Sequence, residues 1–286
     1  MSSRLLPDGI DLYGGSSAIT RAITLQQPAV QTAEFGAPGL SVLLRSRGTP
    51  EQVLRFSEMM GQAASLFEGA GVALELVVAD SVGGGESVME YFDNDPPAGV
   101  RFLDSRRQRP AQLNNELSGL ARNDRLLFCD SDVTFTDPSQ MLYLWELSYE
   151  WGPDPLGVVL SHPDGTVTDA GLEYLRGGLT AGADPRQSQG SGPPQVREVL
   201  AANGACLVVG RDWLRRVGGF DESFEVECHD TDFCLSAARL GARIGIADLG
   251  LVTRPANPTA TPQQADRPDR TLFARRWQSY LEGRFR

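Results

Sequence analysis

Short apolar segments alternate with amphipathic segments along residues 40–151, and this alternation constrains the fold more than any other feature of the chain. Residues 40–44 have the length and composition of a buried strand. After them, Thr49 at an N-cap, Pro50 at the first helical position and Gln52 predict the start of a helix. Its apolar residues recur at helical spacing, at Val53, Phe56, Met60, Ala63 and Phe67.

The same strand–helix unit repeats along this part of the chain. Residues 74–79, 100–103 and 126–128 are further apolar strand segments, and residues 110–120 and 137–151 carry helix signals. Strands that are separated by helices pair in parallel and are covered by helices on both faces. The sequence therefore predicts an α/β fold with a doubly wound sheet flanked by helices.

The rest of the chain has a different pattern. Residues 1–39 have weak periodicity and are predicted to be an N-terminal extension, whereas residues 40–286 are predicted to form a single domain. In the second half, Pro163-Asp164-Gly165 is a hairpin turn signal between the apolar segments 156–160 and 167–172. Residues 177–195 are dense in Gly, Pro, Ser and Gln, which indicates a mobile loop, either a plain linker or a lid.

Charge and composition exclude several classes of protein. A net charge of −11 argues against general nucleic-acid binding. All 26 basic residues are Arg, which excludes a Lys-based phosphate loop or Schiff base and leaves Arg for any cationic phosphate contact. The four cysteines form no Cys-x-x-Cys pair, so we expect no zinc or redox motif. Without a long apolar run or a signal-peptide core, the chain is predicted to be soluble and cytoplasmic.

The C-terminal tail is a locally basic exception to the acidic balance. Two interpretations stay open: a peripheral contact with an anionic membrane surface, or a solvated helix whose aromatic face docks on the protein body. The residues concerned are Arg275, Arg276, Arg284 and Arg286, with Phe273, Trp277, Tyr280 and Phe285.

Two acidic motifs, about a hundred residues apart, are the candidate functional sites. Asp130 and Asp132 follow the apolar segment 126–128, at the sheet edge where open α/β proteins bind ligands. Carboxylates bind Mg²⁺ and Mn²⁺, which bridge them to substrate phosphates, and the alternative is a turn with solvated carboxylates. Asp230 and Asp232 open a predicted helix, where they supply a candidate base or simply stabilise the helix N-terminus.

An ordered set of motifs resembles the family 2 glycosyltransferases, which have the GT-A fold; the resemblance implies a doubly wound mixed α/β sheet flanked by helices. Besides the acidic motifs, the resemblance rests on residues 41–44 and 77–81 as the first two strands, on the segment 203–209, and on Gly218-Gly219-Phe220-Asp221-Glu222. It covers roughly residues 40–280. Residues 273–277 resemble the C-terminal element of bacterial members of the rhamnosyltransferase type.

The resemblance implies a role for each matching residue. The nucleotide-sugar half would be residues 40–151 and the acceptor half residues 152–286. The implied roles are contact with the donor nucleotide for Asp80, the family's helix asparagine near the donor for Asn115, binding of a Mn²⁺ or Mg²⁺ ion and the diphosphate for Asp130 and Asp132, and catalytic base for Asp230.

Two positions depart from the family pattern. His229 precedes the predicted base where the family has Glu or Asn, and Arg254 stands where many members have a metal-ligating His. An arginine cannot ligate a metal, because the guanidinium has no free lone pair. The metal would then lack one ligand, be held by the two aspartates and phosphates alone, or be partly replaced by Arg254 as a fixed cation near the diphosphate.

The expected function is an inverting transfer of a hexosyl or deoxyhexosyl group from a nucleotide-diphosphate sugar to a hydroxyl of a polysaccharide, a lipid-linked glycan or a metabolite. Arg106, Arg107 and Arg109 are further candidates for the diphosphate, or a solvated charged face. Two alternatives stay open. A sugar-nucleotide nucleotidyltransferase is weakly suggested by residues 45–48, and a catalytically silent nucleotide-sugar-binding protein is suggested by Arg254.

Overall fold

The computed structural model describes residues 22–23, 37–46, 50–80, 100–104, 108–175, 179–182, 196–255 and 268–284. Several predicted features lie wholly or mostly outside these residues: the N-terminal extension 1–39, Thr49, Arg106, Arg107, the 177–195 loop, Phe285 and Arg286.

The described residues form strands and helices that alternate over the first half of the chain. The strands are β1 (Ala22–Ile23), β2 (Ala37–Arg45), β3 (Ala73–Asp80), β4 (Val100–Asp104), β5 (Asn123–Asp130), β6 (Thr134–Phe135), β7 (Leu156–Val158), β8 (Leu160–Ser161), β9 (Val167–Asp169), β10 (Leu172–Leu175), β11 (Leu179–Gly182), β12 (Val196–Glu198), β13 (Cys206–Gly210), β14 (Gly245–Ala247) and β15 (Val252–Thr253). The helices are α1 (Pro50–Gly69), α2 (Pro110–Leu120), α3 (Ser139–Glu150), α4 (Arg211–Val217), α5 (His229–Arg239) and α6 (Pro268–Arg284).

Nine strands form the main sheet, in the order β1-β4-β3-β2-β5-β13-β7-β14-β12, and a second sheet has the order β6-β15-β8-β9. Strands β4, β3, β2 and β5 are parallel neighbours, whereas β13 runs antiparallel to both β5 and β7. The parallel part follows from the strand–helix repeats, since a parallel pair needs a crossover connection. The predicted mixed α/β sheet flanked by helices is therefore confirmed.

Both faces of the main sheet are covered, as the side chains of β2 show. Val42 and Leu44 lie in the hydrophobic cluster that contains α1 and α3, and Leu43 lies in the cluster that contains α2, α4 and α5. Because successive strand residues point to opposite faces, burial of both faces requires a continuous apolar run. The apolar face predicted for α1 is buried as well, at Val53, Phe56, Met60, Ala63 and Phe67.

One segment predicted as a loop contains regular structure. Strands β10 and β11 form an antiparallel hairpin in which Leu172 is opposite Gly182. Strand β11 has little strand signal in its sequence, because Leu179 is the only large apolar residue among its four.

Helix α6 at the C-terminal end docks on the protein body. Trp277 and Leu281 are buried in a cluster with Leu200 and Leu235. The structure thus favours the docked-helix interpretation for Trp277, while membrane contact of the tail stays a prediction. Across the residues that the structure describes, no helix has the length and apolar character needed to cross a membrane.

Candidate active site

The carboxyl ends of β2 and β5 bring two opposite charges together inside the protein. Arg45 ends β2 and lies in register with Asp130, which ends β5. Arg45 Nη2 is 2.6 Å from Asp130 Oδ1, and the two side chains are only 3% and 1% exposed. The predicted ligand-binding edge therefore contains a buried ion pair that the sequence patterns did not reveal.

A second arginine binds the other oxygen of the same carboxylate. Arg254 Nη2 donates to Asp130 Oδ2 at 2.9 Å, and Arg254 Nε lies 3.1 Å from both oxygens of Asp132. The second sheet fixes this position, because β15 pairs with β8 and the Arg254 N–H donates to the Ser161 carbonyl at 2.8 Å. One guanidinium thus bridges the two carboxylates that were predicted to bind a metal.

The electrostatics of this bridge favour a permanent charge on Arg254. Burial by itself lowers the pKa of Arg254, but the carboxylates of Asp130 and Asp132 outweigh it, so the pKa lies above its ordinary value. The Arg254 side chain is 22% exposed, so a ligand in solution can contact the guanidinium.

These residues, as they are arranged, do not fit a divalent cation. A metal ion would need the carboxylate oxygens that Arg45 and Arg254 already bind, and a guanidinium offers no lone pair for coordination. Within the described ranges, no group of three or more His, Cys, Asp or Glu side chains could hold a metal ion. We therefore assign no catalytic step to the Mn²⁺ or Mg²⁺ ion predicted at Asp130 and Asp132.

The buried ion pair is connected to the second acidic motif through Gly204. Arg45 Nη2 donates to the Gly204 carbonyl at 2.6 Å, and the Gly204 N–H donates to Asp230 Oδ2 at 2.8 Å. The same arginine donates through Nη1 to Asn114 Oδ1 at 3.3 Å. Residues far apart in the chain thus form one hydrogen-bonded group at one edge of the sheet.

Asp230, the predicted base, carries an ionised carboxylate at the start of a helix. It lies in the first turn of α5, is half-buried, and accepts a second backbone hydrogen bond from the Thr231 N–H at 2.7 Å. Burial by itself raises its pKa, but His229 and the N–H groups of Gly204 and Thr231 more than offset this, so the pKa of Asp230 lies below its usual value. The carboxylate is therefore ionised at neutral pH and able to accept a proton.

Substitution of Gly204 should displace the candidate base. A Cβ atom at this position would lie 2.9 Å from Asp230 Cβ and 3.2 Å from Asp230 Oδ2, so the Gly204→Ala side chain must push the carboxylate aside. A displaced catalytic group costs up to about 10²-fold in rate, so we expect kcat to fall by about 10- to 100-fold. Steady-state kinetics test this, and an unchanged kcat would contradict the placement of Asp230 at the reacting centre.

Asp232, the other acidic residue of the second motif, has a different environment. It is 3% exposed, and its Oδ1 accepts hydrogen bonds from Trp277 Nε1 at 2.7 Å and from Arg276 Nη1 at 2.8 Å. Burial raises its pKa despite these bonds. Asp232 therefore attaches α6 to α5 and is not placed to act on a substrate.

The loop that precedes Asp230 is held by the first turn of α6. Both oxygens of Asp269 accept backbone hydrogen bonds, from the N–H groups of Glu225, Val226 and Glu227, at 2.8–2.9 Å. Cys228 follows this loop in the left-handed conformation (φ 66°), and α5 begins directly after it. The C-terminal helix thus fixes the chain on both sides of the candidate base.

Comparisons with solved structures match most of the chain. GalNAc-T7, solved with UDP, GalNAc and Mn²⁺, superposes over 84% of this chain with a TM-score of 0.58 at 11% identity. TarS residues 1–349 from S. aureus, solved with UDP-GlcNAc, covers 85% with a TM-score of 0.57 at 14% identity. This chain has the GT-A glycosyltransferase fold. The GT-A neighbours are longer, since the match spans 48% of GalNAc-T7 and 66% of that TarS chain.

Two curated bacterial proteins match part of the chain in sequence. The O-antigen biosynthesis protein RfbC of Myxococcus xanthus is 30% identical over 146 residues, which is 49% of this chain and 11% of RfbC. The uncharacterized protein y4gI of Sinorhizobium fredii is 27% identical over 176 residues, 58% of this chain and 19% of y4gI. The chain thus spans between a tenth and a fifth of these relatives. No family model matches it.

Of three residues predicted near the donor, one lies at the ligand-binding edge of the sheet and two contact the loop that follows α4. Asp80 ends β3, at the same sheet edge as Arg45. Asn115 Nδ2 donates to the Phe220 carbonyl at 2.9 Å and its Oδ1 accepts from the Phe220 N–H at 2.8 Å, so its amide holds a loop. Arg109 contacts Glu225 at 2.9 Å. The donor roles of Asp80 and Asn115 stay predictions.

The structure also places residues at the site that sequence reasoning missed. Arg45 contacts the Asp130 carboxylate, and Asn114 accepts a hydrogen bond from Arg45. Asn114 belongs to no predicted motif, and Arg45 was considered only within residues 45–48, as a weak nucleotidyltransferase signal. Asp169 accepts a hydrogen bond at 2.8 Å from Nδ2 of Asn203, the residue directly before Gly204. Burial raises the pKa of Asp169, and repulsion from Asp230 acts in the same direction. For Arg45 and Asp169 the available signal was position at a strand end, which many polar residues share, whereas Asn114 lies inside helix α2 and gave no such signal.

Proposed function

We propose that this protein is an inverting glycosyltransferase that moves a sugar from a nucleotide-diphosphate sugar to an acceptor hydroxyl. The observation that carries the proposal is the hydrogen-bonded connection, through Arg45 and Gly204, between the carboxylate Asp230 and the charged group around Asp130. A base and a fixed cation thus lie at one edge of a GT-A sheet. The UDP and UDP-GlcNAc of the two solved neighbours support a nucleotide-sugar donor.

In the proposed reaction the protein removes one proton and stabilises one leaving group. Asp230 takes the proton of the acceptor hydroxyl as its oxygen attacks the anomeric carbon. The bond from that carbon to the diphosphate breaks, and the nucleoside diphosphate leaves with the bonding electrons. Because attack comes from the face opposite the leaving group, the anomeric configuration inverts. The negative charge that develops on the diphosphate calls for a fixed cation close to Asp130.

The acceptor proposed here is a hydroxyl of a polysaccharide or a lipid-linked glycan, with a metabolite as the simpler alternative. The partial match to RfbC, which is named for O-antigen biosynthesis, supports a glycan acceptor. A hexosyl or deoxyhexosyl group is proposed for transfer, because residues 273–277 resemble the element of rhamnosyltransferase-type proteins.

The reaction products distinguish this function from its competitors. The protein is incubated with UDP- and dTDP-sugars and a panel of hydroxyl acceptors, and we expect nucleoside diphosphate release with product of inverted configuration in nuclear magnetic resonance spectra. Pyrophosphate production from a nucleoside triphosphate and a sugar phosphate would instead establish a nucleotidyltransferase. Nucleotide-sugar binding without any turnover across the panel would favour the silent binding protein.

A further inference from the structure

The strongest unexplained feature of the site is the double ion pair formed by Arg254. Its Nε and Nη2 atoms bind Asp132 and Asp130, and the described residues show no hydrogen bond from Nη1. A guanidinium carries five donors in a rigid planar fork that suits phosphate oxygens. With two of its nitrogens bound to carboxylates, the remaining edge has a fixed direction.

The ion pairs around Asp130 occupy the carboxylate oxygens that a divalent cation would need. Asp130 and Asp132 supply two negative charges, and Arg45 and Arg254 supply two positive charges at 2.6–3.1 Å. A divalent ion at the same oxygens would have to displace Arg254 and would leave excess positive charge beside the buried Arg45. The carboxylates therefore serve to orient an arginine.

We propose that this protein binds the diphosphate of its donor without a divalent cation, and that the guanidinium of Arg254, oriented by Asp130 and Asp132, supplies the positive charge. The inference rests on the proposed function and deepens it, because it names the group that meets the donor diphosphate. Asp132 is then a positioning residue that acts through Arg254, and the diphosphate is held by paired charge-assisted hydrogen bonds.

Calorimetry with UDP, GDP and dTDP as probes, in EDTA and in Mn²⁺, tests the proposal. We expect the dissociation constant of the best-binding nucleotide to agree within about threefold between the two conditions. Arg254→Ala should weaken binding by about 10- to 100-fold in both, since charge-assisted hydrogen bonds have this worth. Arg215→Ala is the matched control, because Arg215 is exposed, pairs with Asp212 and should leave binding unchanged.

Arg254→His gives the sharpest test. An imidazole beside two carboxylates is a ligand set that Mn²⁺ accepts, so this variant should bind nucleotide weakly in EDTA and recover in Mn²⁺. If Arg254→Ala lowers the melting temperature, Arg254→Gln replaces it, because Gln keeps a hydrogen-bond donor for Asp132 but carries no charge.

Loss of binding by the unmodified protein in EDTA, or unchanged affinity in Arg254→Ala and Arg254→Gln, would overturn the proposal. The nucleoside diphosphate release assay, run with EDTA and with Mn²⁺, separates this failure from failure of the proposed function. Turnover that needs Mn²⁺ would remove the role of Arg254 and leave glycosyl transfer standing. The absence of turnover and nucleotide binding in both conditions would remove both.

Discussion

Replacement of Asp230 by Asn should lower kcat by about 10²- to 10⁴-fold, the usual contribution of a general acid–base group. The variant keeps the shape of the side chain and one oxygen, so it retains only one of the two backbone hydrogen bonds, which come from Gly204 to Oδ2 and from Thr231 to Oδ1, and it cannot accept a proton. The nucleotide contacts at Arg254 are untouched by the change. We therefore expect the affinity for the best-binding nucleotide diphosphate to stay the same, which calorimetry measures alongside the kinetics.

Asp232→Asn is the matched control for this prediction, since it makes the same chemical change two residues along the same helix. Its oxygen can still accept from Trp277 Nε1, so activity should stay within a few-fold of the parent. If Asp232→Asn abolished turnover and Asp230→Asn did not, the assignment of the base would be wrong.

The fold could be predicted from the sequence because its strands and helices have local patterns of apolar residues. The apolar residues of β2 and α1 occur at strand and helix spacing, and the crossover rule then sets the parallel pairing of the strands. The position of Asp130 at the sheet edge follows from the same reasoning, because a charged residue directly after a buried strand must lie where that strand ends.

The contacts that define the site could not be derived in this way. Arg45 and Gly204 are 159 residues apart, and Arg254 and Asp130 are 124 apart, so no spacing rule connects them. The likeness to a known family indicated that Arg254 was unusual, but not that it would bridge two carboxylates. Asn114 and Asn115 illustrate what sequence patterns could not predict. They are neighbours on α2 and point about 100° apart around the helix axis. The structure places Asn114 beside Arg45.

The second acidic motif shows why two similar residues can have unrelated roles. Asp230 lies on the side of α5 that meets the Gly204 peptide, and Asp232 lies on the side that meets α6. Sequence patterns alone predicted that both would open a helix, and the resemblance to a known family implied that Asp230 is the base. It had no means to identify Trp277, 45 residues later, as the partner that fixes Asp232 in place.

Asp232→Ala is expected to destabilise the protein by about 3 kcal/mol, because it leaves the buried indole N–H of Trp277 without an acceptor and removes one of two carboxylates bound to Arg276. For a chain of this size we expect the melting temperature to fall by about 6–12 °C. Thermal unfolding measures the change. Asp232→Asn should cost less than half as much, since Asn still accepts from Trp277 and Arg276 keeps Asp221.

The melting temperature and the turnover of Asp232→Ala together decide whether Asp232 has a structural or a catalytic role. Folded Asp232→Ala protein, assayed below its melting temperature, should retain turnover because Asp230 keeps its own backbone hydrogen bonds from Gly204 and Thr231. A variant with normal melting temperature and no activity would place Asp232 in the reaction. A large loss of stability with retained turnover would establish that the docking of α6 depends on the Asp232 carboxylate and that proton transfer does not, which leaves Asp230, two residues before it on the same helix, as the carboxylate for the reaction.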